Sequence, residues 1–191
     1  MSNLEGVPIK FRDVTFLNFN ADKTSKLYET KKKCYDFAKG RTDKESLLLM
    51  GNVGSGKTHL AISIMKEIPS KPSILKYGDP IQPKCLFLNA DQFFMKLSNS
   101  FNEGISKDMM IDSFLMNYEI VCLDDLSSFN FTPAKTENFY FFINQAYMNN
   151  RRIIITTNFD ESEFKKIDPR IFSRLKEMCL VRKFINEDYR K

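Results

Sequence analysis

Apolar residues gather in five short, unbroken runs: Leu47 to Met50, KCLFLN at 84–89, Ile120 to Leu123 inside EIVCLDDL, RRIIITT at 151–157 and CLVRKFI at 179–185. Runs this short, with little polar alternation, suit strands buried on both faces of a parallel sheet. The stretches between them repeat apolar residues at helical spacing instead. Residues 22–39 set Leu27, Cys34, Tyr35 and Ala38 on one side before Gly40, and Leu60, Ala61, Ile64, Met65 and Ile68 follow until Pro69 stops them. Ala90-Asp91 opens a helix carrying Phe93, Phe94, Leu97 and Phe101, and further helices are predicted over 107–117, over 131–150, and from Asp168-Pro169 within 161–178. Strands alternating with helices predict an α/β domain. Two stretches break the pattern. Residues 11–19 are aromatic and irregular, and residues 69–84 hold four of the seven prolines, which predicts a surface loop.

The first apolar run leads into Gly51-Asn52-Val53-Gly54-Ser55-Gly56-Lys57-Thr58, which fills every fixed position of the P-loop pattern between a strand and a helix. Glycines there let consecutive backbone N–H groups turn inward on a polyphosphate, and the helix beginning near Lys57 points its positive end at the same anion. Lys57 is expected to reach the β- and γ-phosphates of a bound nucleotide, and Thr58 to ligate Mg²⁺. The third run ends on Asp124 and Asp125, at the carboxyl end of a strand, where open α/β sheets bind ligands. This is a Walker B arrangement: Asp124 to hold Mg²⁺, through water or through Thr58, and Asp125 to orient or deprotonate the attacking water. The fourth run ends on Thr156-Thr157-Asn158. An amide that both donates and accepts makes Asn158 the candidate contact to the γ-phosphate or the water, with a helix cap before Phe159-Asp160 as its plainer reading.

Composition narrows the class without naming a partner. With 191 residues, 42% hydrophobic and 28% charged, the chain reads as one domain with a substantial core; residues 1–40 are expected to pack on a core spanning 41–191. No apolar run approaches the roughly 18 residues of a membrane span, and MSNLEGVPIKFRD is no signal peptide, so a cytoplasmic protein is expected. Cys34, Cys85, Cys122 and Cys179 form no C-x-x-C pair and read as buried thiols. A net charge of +5, with basic residues scattered over several short clusters, permits contact with an anionic polymer without requiring it.

Taken together, GNVGSGKTHL, IVCLDDL, IITTN and DPRIFSRLKEM, in this order, resemble the AAA+ ATPases of the DnaC/DnaI helicase-loader and IstB transposition-helper group over about residues 11–185. The P-loop and Walker B are shared by many NTPases; the TTN strand end followed by D-x-R-I-x-S-R-L is more particular to this group. The resemblance implies a P-loop fold of the AAA+ (ASCE) type, with a five-stranded parallel sheet between helices and the Walker B strand beside the P-loop strand. It also implies ATP and Mg²⁺ as ligands, assembly into rings or spirals, and single-stranded DNA contact through a helix between the second and third strands. Asn158 falls at the sensor 1 position and Arg174 at the arginine finger, with Arg170 a weaker candidate; Arg174 paired to Glu177 on its own surface is the plainer reading.

The chain departs from the group in placing Asp125 where many relatives carry Glu, and in having only about ten residues before the aromatic segment, where loaders carry a helicase-binding domain. No C-terminal helical lid is expected, which matches the group. The function implied is an Mg²⁺-dependent ATPase of DNA replication, slow and stimulated by a partner or DNA, oligomeric and helicase-loader-like. A transposase helper, a nucleotide-regulated DNA-binding adaptor with negligible turnover, and a small-molecule kinase are the alternatives.

Overall fold

The computed structural model describes residues 4–68, 85–100, 104–128 and 130–184, with the backbone of 73–74 and 80–81. In chain order the elements are β1 (Leu4–Glu5), α1 (Lys26–Ala38), β2 (Ser46–Gly51), α2 (Lys57–Glu67), β3 (Ser73–Ile74), β4 (Pro80–Ile81), β5 (Cys85–Asn89) and α3 (Ala90–Ser100). They continue with α4 (Lys107–Asn117), β6 (Ile120–Asp124), α5 (Pro133–Met148), β7 (Arg152–Thr157), α6 (Glu161–Ile167), α7 (Pro169–Met178) and β8 (Cys179–Phe184). All five apolar runs are strands. They lie in one sheet of order β1-β5-β6-β7-β2-β8, every neighbouring pair parallel.

Residues alternate between the two faces, as the pleat requires. Leu48, Met50, Leu86, Leu88, Val121, Leu123, Ile153 and Ile155 join the core built with α3 to α7. Leu47, Leu49, Cys85, Phe87, Ile120, Cys122 and Ile154 join the opposite core, closed by α1, α2 and the segment carrying Phe16 and Phe19. That segment folds onto α2: Lys66 Nζ donates to the Val14 carbonyl at 2.7 Å, Lys31 Nζ to the Phe19 carbonyl at 2.8 Å, and Phe19 meets the His59 ring edge-on. Burying two phenylalanines there contributes about 1.5–3 kcal/mol each.

Two expectations about the sheet fail. It has six strands, not five, because Leu4–Glu5 adds beside Cys85 and Leu86. Two residues carry no periodic signal, but the geometry beside them is demanding: Gly6 has φ +80°, and a Cβ there would lie 2.1 Å from the Phe87 carbonyl oxygen. The Walker B strand is also not beside the P-loop strand. β7 stands between them, pairing Ile154 with Leu47 on one side and with Cys122 on the other, and Ile153, Ile154 and Ile155 are wholly buried. The strand richest in β-branched residues thus takes the most enclosed position.

Within 69–84 the expected loop contains a short antiparallel ladder, Ser73 opposite Ile81 and Ile74 opposite Pro80; a two-stranded ladder leaves free edges that tolerate Pro80. The remainder of that stretch, Phe101, and everything after Phe184, where a lid would begin, lie outside the described residues. The helix expected from Asp168-Pro169 is α7, and a separate helix, α6, precedes it. Asp168 ends α6, and its carboxylate then accepts the Arg170 N–H at 2.8 Å to cap α7, with Pro169 at the position that needs no donor. Among the described residues no helix is long and apolar enough to cross a membrane. All four cysteines are free and buried, and burial pushes the Cys34 thiol up to about 12 and Cys85 up to about 11, so they are unreactive at neutral pH.

Candidate nucleotide site

The site forms where β2, β6 and β7 end. Gly51 leaves β2 with φ +147°, and a Cβ on it would lie 2.6 Å from the Phe184 carbonyl oxygen, so the loop begins pressed against β8. Gly54 (φ +82°) and Gly56 (φ +90°) then take left-handed conformations open to glycine, which wind the loop into the first turn of α2. Ser25, Ser106, Asp160 and Asp168 cap α1, α4, α6 and α7 with their side chains. Gly56 gives α2 no side-chain cap, which leaves first-turn N–H groups for an anion.

Lys57 is 7% exposed, and its ammonium donates to the carbonyls of Gly51 (2.7 Å) and Asn52 (2.8 Å) and to Asn158 Oδ1 (2.9 Å). A P-loop residue and the end of β7, 101 positions apart in the chain, are thereby joined. Thr58 Oγ1 donates to Asp124 at 2.9 Å and 3.1 Å from its two carboxylate oxygens, and Thr156 Oγ1 donates to Asp124 Oδ1 at 2.7 Å. Burial raises the Asp124 pKa, opposed by the hydrogen bonds from Thr156 and Thr58; the Asp125 charge adds to the rise and Lys57 opposes it. A divalent cation at this point would remove the penalty.

The donor set fits Mg²⁺. Cis oxygens of an octahedral ion with bonds of about 2.0–2.1 Å lie about 2.9 Å apart, the spacing that already separates the Thr58 hydroxyl from Asp124.

Asp125 follows with φ +54°, a left-handed conformation uncommon for a non-glycine residue, and its N–H donates to Thr156 Oγ1 at 2.9 Å. Its carboxylate accepts the Ser127 hydroxyl at 3.2 Å, and that hydroxyl accepts the Asn158 N–H at 2.9 Å. The structure therefore gathers Gly51 to Thr58, Asp124, Asp125 and Asn158 in one place. Arg174 stands apart on α7, where its Nε donates to Asn144 Oδ1 at 2.9 Å and its guanidinium stacks 4.9 Å from the centre of the Tyr140 ring. Arg170 covers the same ring at 4.1 Å and pairs with Asp168 at 2.7 Å. Glu177 accepts the Tyr147 hydroxyl at 2.6 Å.

Sequence reasoning missed Thr156 and Ser127. Thr156 carried a signal, a hydroxyl ending a buried run beside the acid strand; Ser127 carried none. A cavity of about 240 Å³ opens beside the loop, lined by Gly51, Asn52, Asn158, Asp160 and Lys183 among others. A larger one of about 590 Å³ lies between α5 and the α6–α7 junction, away from Lys57 and Asp124. Chemistry, not volume, marks the site.

Residues 12–182 match the bacterial DnaA ATPase domain. The chain belongs to this family. The chain is 27% identical over 185 residues to the uncharacterized protein YqaM of Bacillus subtilis, across 91% of this chain and 55% of that one. The chain thus spans about half the length of YqaM. Its fold is similar to that of a DnaC helicase loader (TM-score 0.72, 21% identity, covering 93% of this chain and 99% of that one). It is also similar to a replication initiator DnaA bound to AMPPCP and single-stranded DNA (TM-score 0.70, 16% identity, 96% and 52%). The AAA+ kinship and the P-loop fold read from the motifs stand, and the chain holds an AAA+ ATPase domain of the DnaA type.

Proposed function

We propose that this chain binds ATP with Mg²⁺ and hydrolyses it slowly, acting in DNA replication as an oligomeric, helicase-loader-like factor that contacts single-stranded DNA. The observation that carries the reading is the convergence of Lys57, Thr58, Asp124, Asp125 and Asn158 from three strand ends. Lys57, now held by loop carbonyls and Asn158, transfers its hydrogen bonds to the β- and γ-phosphates, and the uncapped first turn of α2 adds backbone donors. Thr58 and Asp124 hold the cation, which when bound neutralises charge on the phosphate oxygens. Asp125 aligns the attacking water and accepts its proton, and Asn158, freed from Lys57, fixes the water or a γ-phosphate oxygen.

The oligomer is supported by the place of Arg174, away from its own P-loop and held by Asn144 and Tyr140 on the surface of α5, where a neighbour's phosphate can approach it. A DnaA relative of this fold is bound to AMPPCP and single-stranded DNA, which supports the nucleotide and the DNA parts of the reading. Fluorescent-nucleotide titration with a coupled phosphate-release assay tests it. Lys57→Ala should abolish tight ATP binding, while Asp125→Asn should keep binding and lose turnover. Unchanged ATP affinity in Lys57→Ala defeats the assignment.

A further inference from the structure

Ser127 has no part in the chemistry above, yet its hydroxyl sits where the acid strand meets the sensor strand. A 3₁₀ turn, Leu126–Ser128, anchored by the wholly buried Leu126, carries it there. One oxygen does two things: it accepts the main-chain N–H of Asn158 at 2.9 Å and donates to Asp125 Oδ1 at 3.2 Å. Because the Asn158 side chain accepts Lys57 at 2.9 Å, a continuous line runs from the P-loop lysine through Asn158 and Ser127 to the acid.

Asp125 is the end of that line whose placement matters most. It is exposed, one methylene shorter than a glutamate, and set on a left-handed backbone at φ +54°. A catalytic group must stay within about 0.5 Å of its working position, and the Ser127 hydroxyl is a contact that ties this exposed carboxylate to the sensor strand. We propose that Ser127 is a positioning residue whose hydroxyl fixes the Asp125 carboxylate against the Asn158 main chain, so that acid and sensor face the attacking water as one unit. The inference rests on the hydrolysis reading for its kinetic consequence, but not for the hydrogen bonds themselves.

The experiment compares the wild type, Ser127→Ala and Ser127→Thr. In Ser127→Ala, kcat should fall about tenfold or more, the rate equivalent of one hydrogen bond to a charged group, while KM for ATP stays within about twofold. Ser127→Thr, which keeps the hydroxyl, should recover most of the rate. A turn-forming serine with no kinetic role would lower stability without separating kcat from KM. Amide exchange at Asn158, followed by NMR without nucleotide, supplies a readout independent of turnover: faster in Ser127→Ala, and close to wild type in Ser127→Thr. Full kcat in Ser127→Ala, failure of Ser127→Thr to recover it, or unmoved Asn158 exchange in Ser127→Ala overturns the proposal. Absence of turnover in the wild type overturns the hydrolysis reading and the kinetic role with it, whereas a working wild type beside a fully active Ser127→Ala overturns Ser127 alone.

Discussion

Replacing Thr156 by Val isolates what one buried hydroxyl does for the site. Thr156 is 1% exposed, donates to Asp124 Oδ1 at 2.7 Å and accepts the Asp125 N–H at 2.9 Å. Valine fills nearly the same space, so the change removes two hydrogen bonds while leaving the packing around β7 intact. A bond to a charged group contributes about 1.5–3 kcal/mol, and an unsatisfied buried N–H costs about 1–3 kcal/mol. Asp124 keeps its bond from Thr58, and Asp125 lies near water, so the lower ends apply and the expected loss is about 2.5–4 kcal/mol. For a chain of this size each kcal/mol moves Tm by about 2–4 °C, so Tm should fall by about 5–15 °C. Thr156→Ser keeps both bonds and loses one methyl, at a cost of about 1 kcal/mol. Thermal and urea denaturation of the nucleotide-free protein measure both variants. A Val variant as stable as the Ser variant would show that the hydroxyl contributes nothing and refute the reasoning.

At Asp124, burial makes the folded chain hold a proton more tightly than the unfolded chain does. This group's contribution is therefore full below the unfolded value of 3.8 and is lost as pH rises through the raised folded value. At neutral pH Asp124→Asn should consequently melt higher than wild type without nucleotide yet gain less from ATP with Mg²⁺; a lower melting point without nucleotide would contradict this. Arg174→Ala should bind ATP normally and lose about 10³-fold or more in turnover, with wild-type activity per subunit rising with protein concentration. Mixing Arg174→Ala with Lys57→Ala should restore part of the rate, and a rate per subunit that is flat on dilution, together with full activity in Arg174→Ala, would leave a monomeric switch. Binding to a labelled oligonucleotide in the presence of ATP should weaken steeply with salt and depend little on sequence. No binding at low salt would remove DNA from the function.

Legibility differed by the range of the interaction that fixes each feature. The five apolar runs and the P-loop are local: their hydrophobicity, glycines and flanking residues suffice, and each is where the pattern put it. Strand order is not local. Nothing in IVCLD or RIIITT states which lies beside β2, and the likeness to a family supplied an adjacency that β7 in fact interrupts. β1 escaped because two residues have no period; the start of α7 was legible in Asp168-Pro169, but the seven residues of α6 before it were too few for a helical period to stand out. In the site, residues bearing charge or amide chemistry could be picked out from the chain, whereas Thr156 and Ser127 matter through hydrogen bonds spanning 32 and 31 positions. Serine and threonine are too common for composition to single them out.

The interposed position of β7 also sets an order of events during synthesis. β2 finds its sheet neighbours in β7 and β8, while β1, β5 and β6 form the other side. Until residues 152–157 leave the ribosome, β2 has neither of its sheet neighbours and no main-chain bond joins it to the β1-β5-β6 side, with Lys57 following the one and Asp124 ending the other. Joining them requires inserting β7 into the middle rather than adding it at an edge, a slow, long-range step that exposes Ile153, Ile154 and Ile155 until it is complete. A chain interrupted before Arg152 would carry both nucleotide motifs intact in its sequence and still have no pocket, with bare sheet edges open to aggregation.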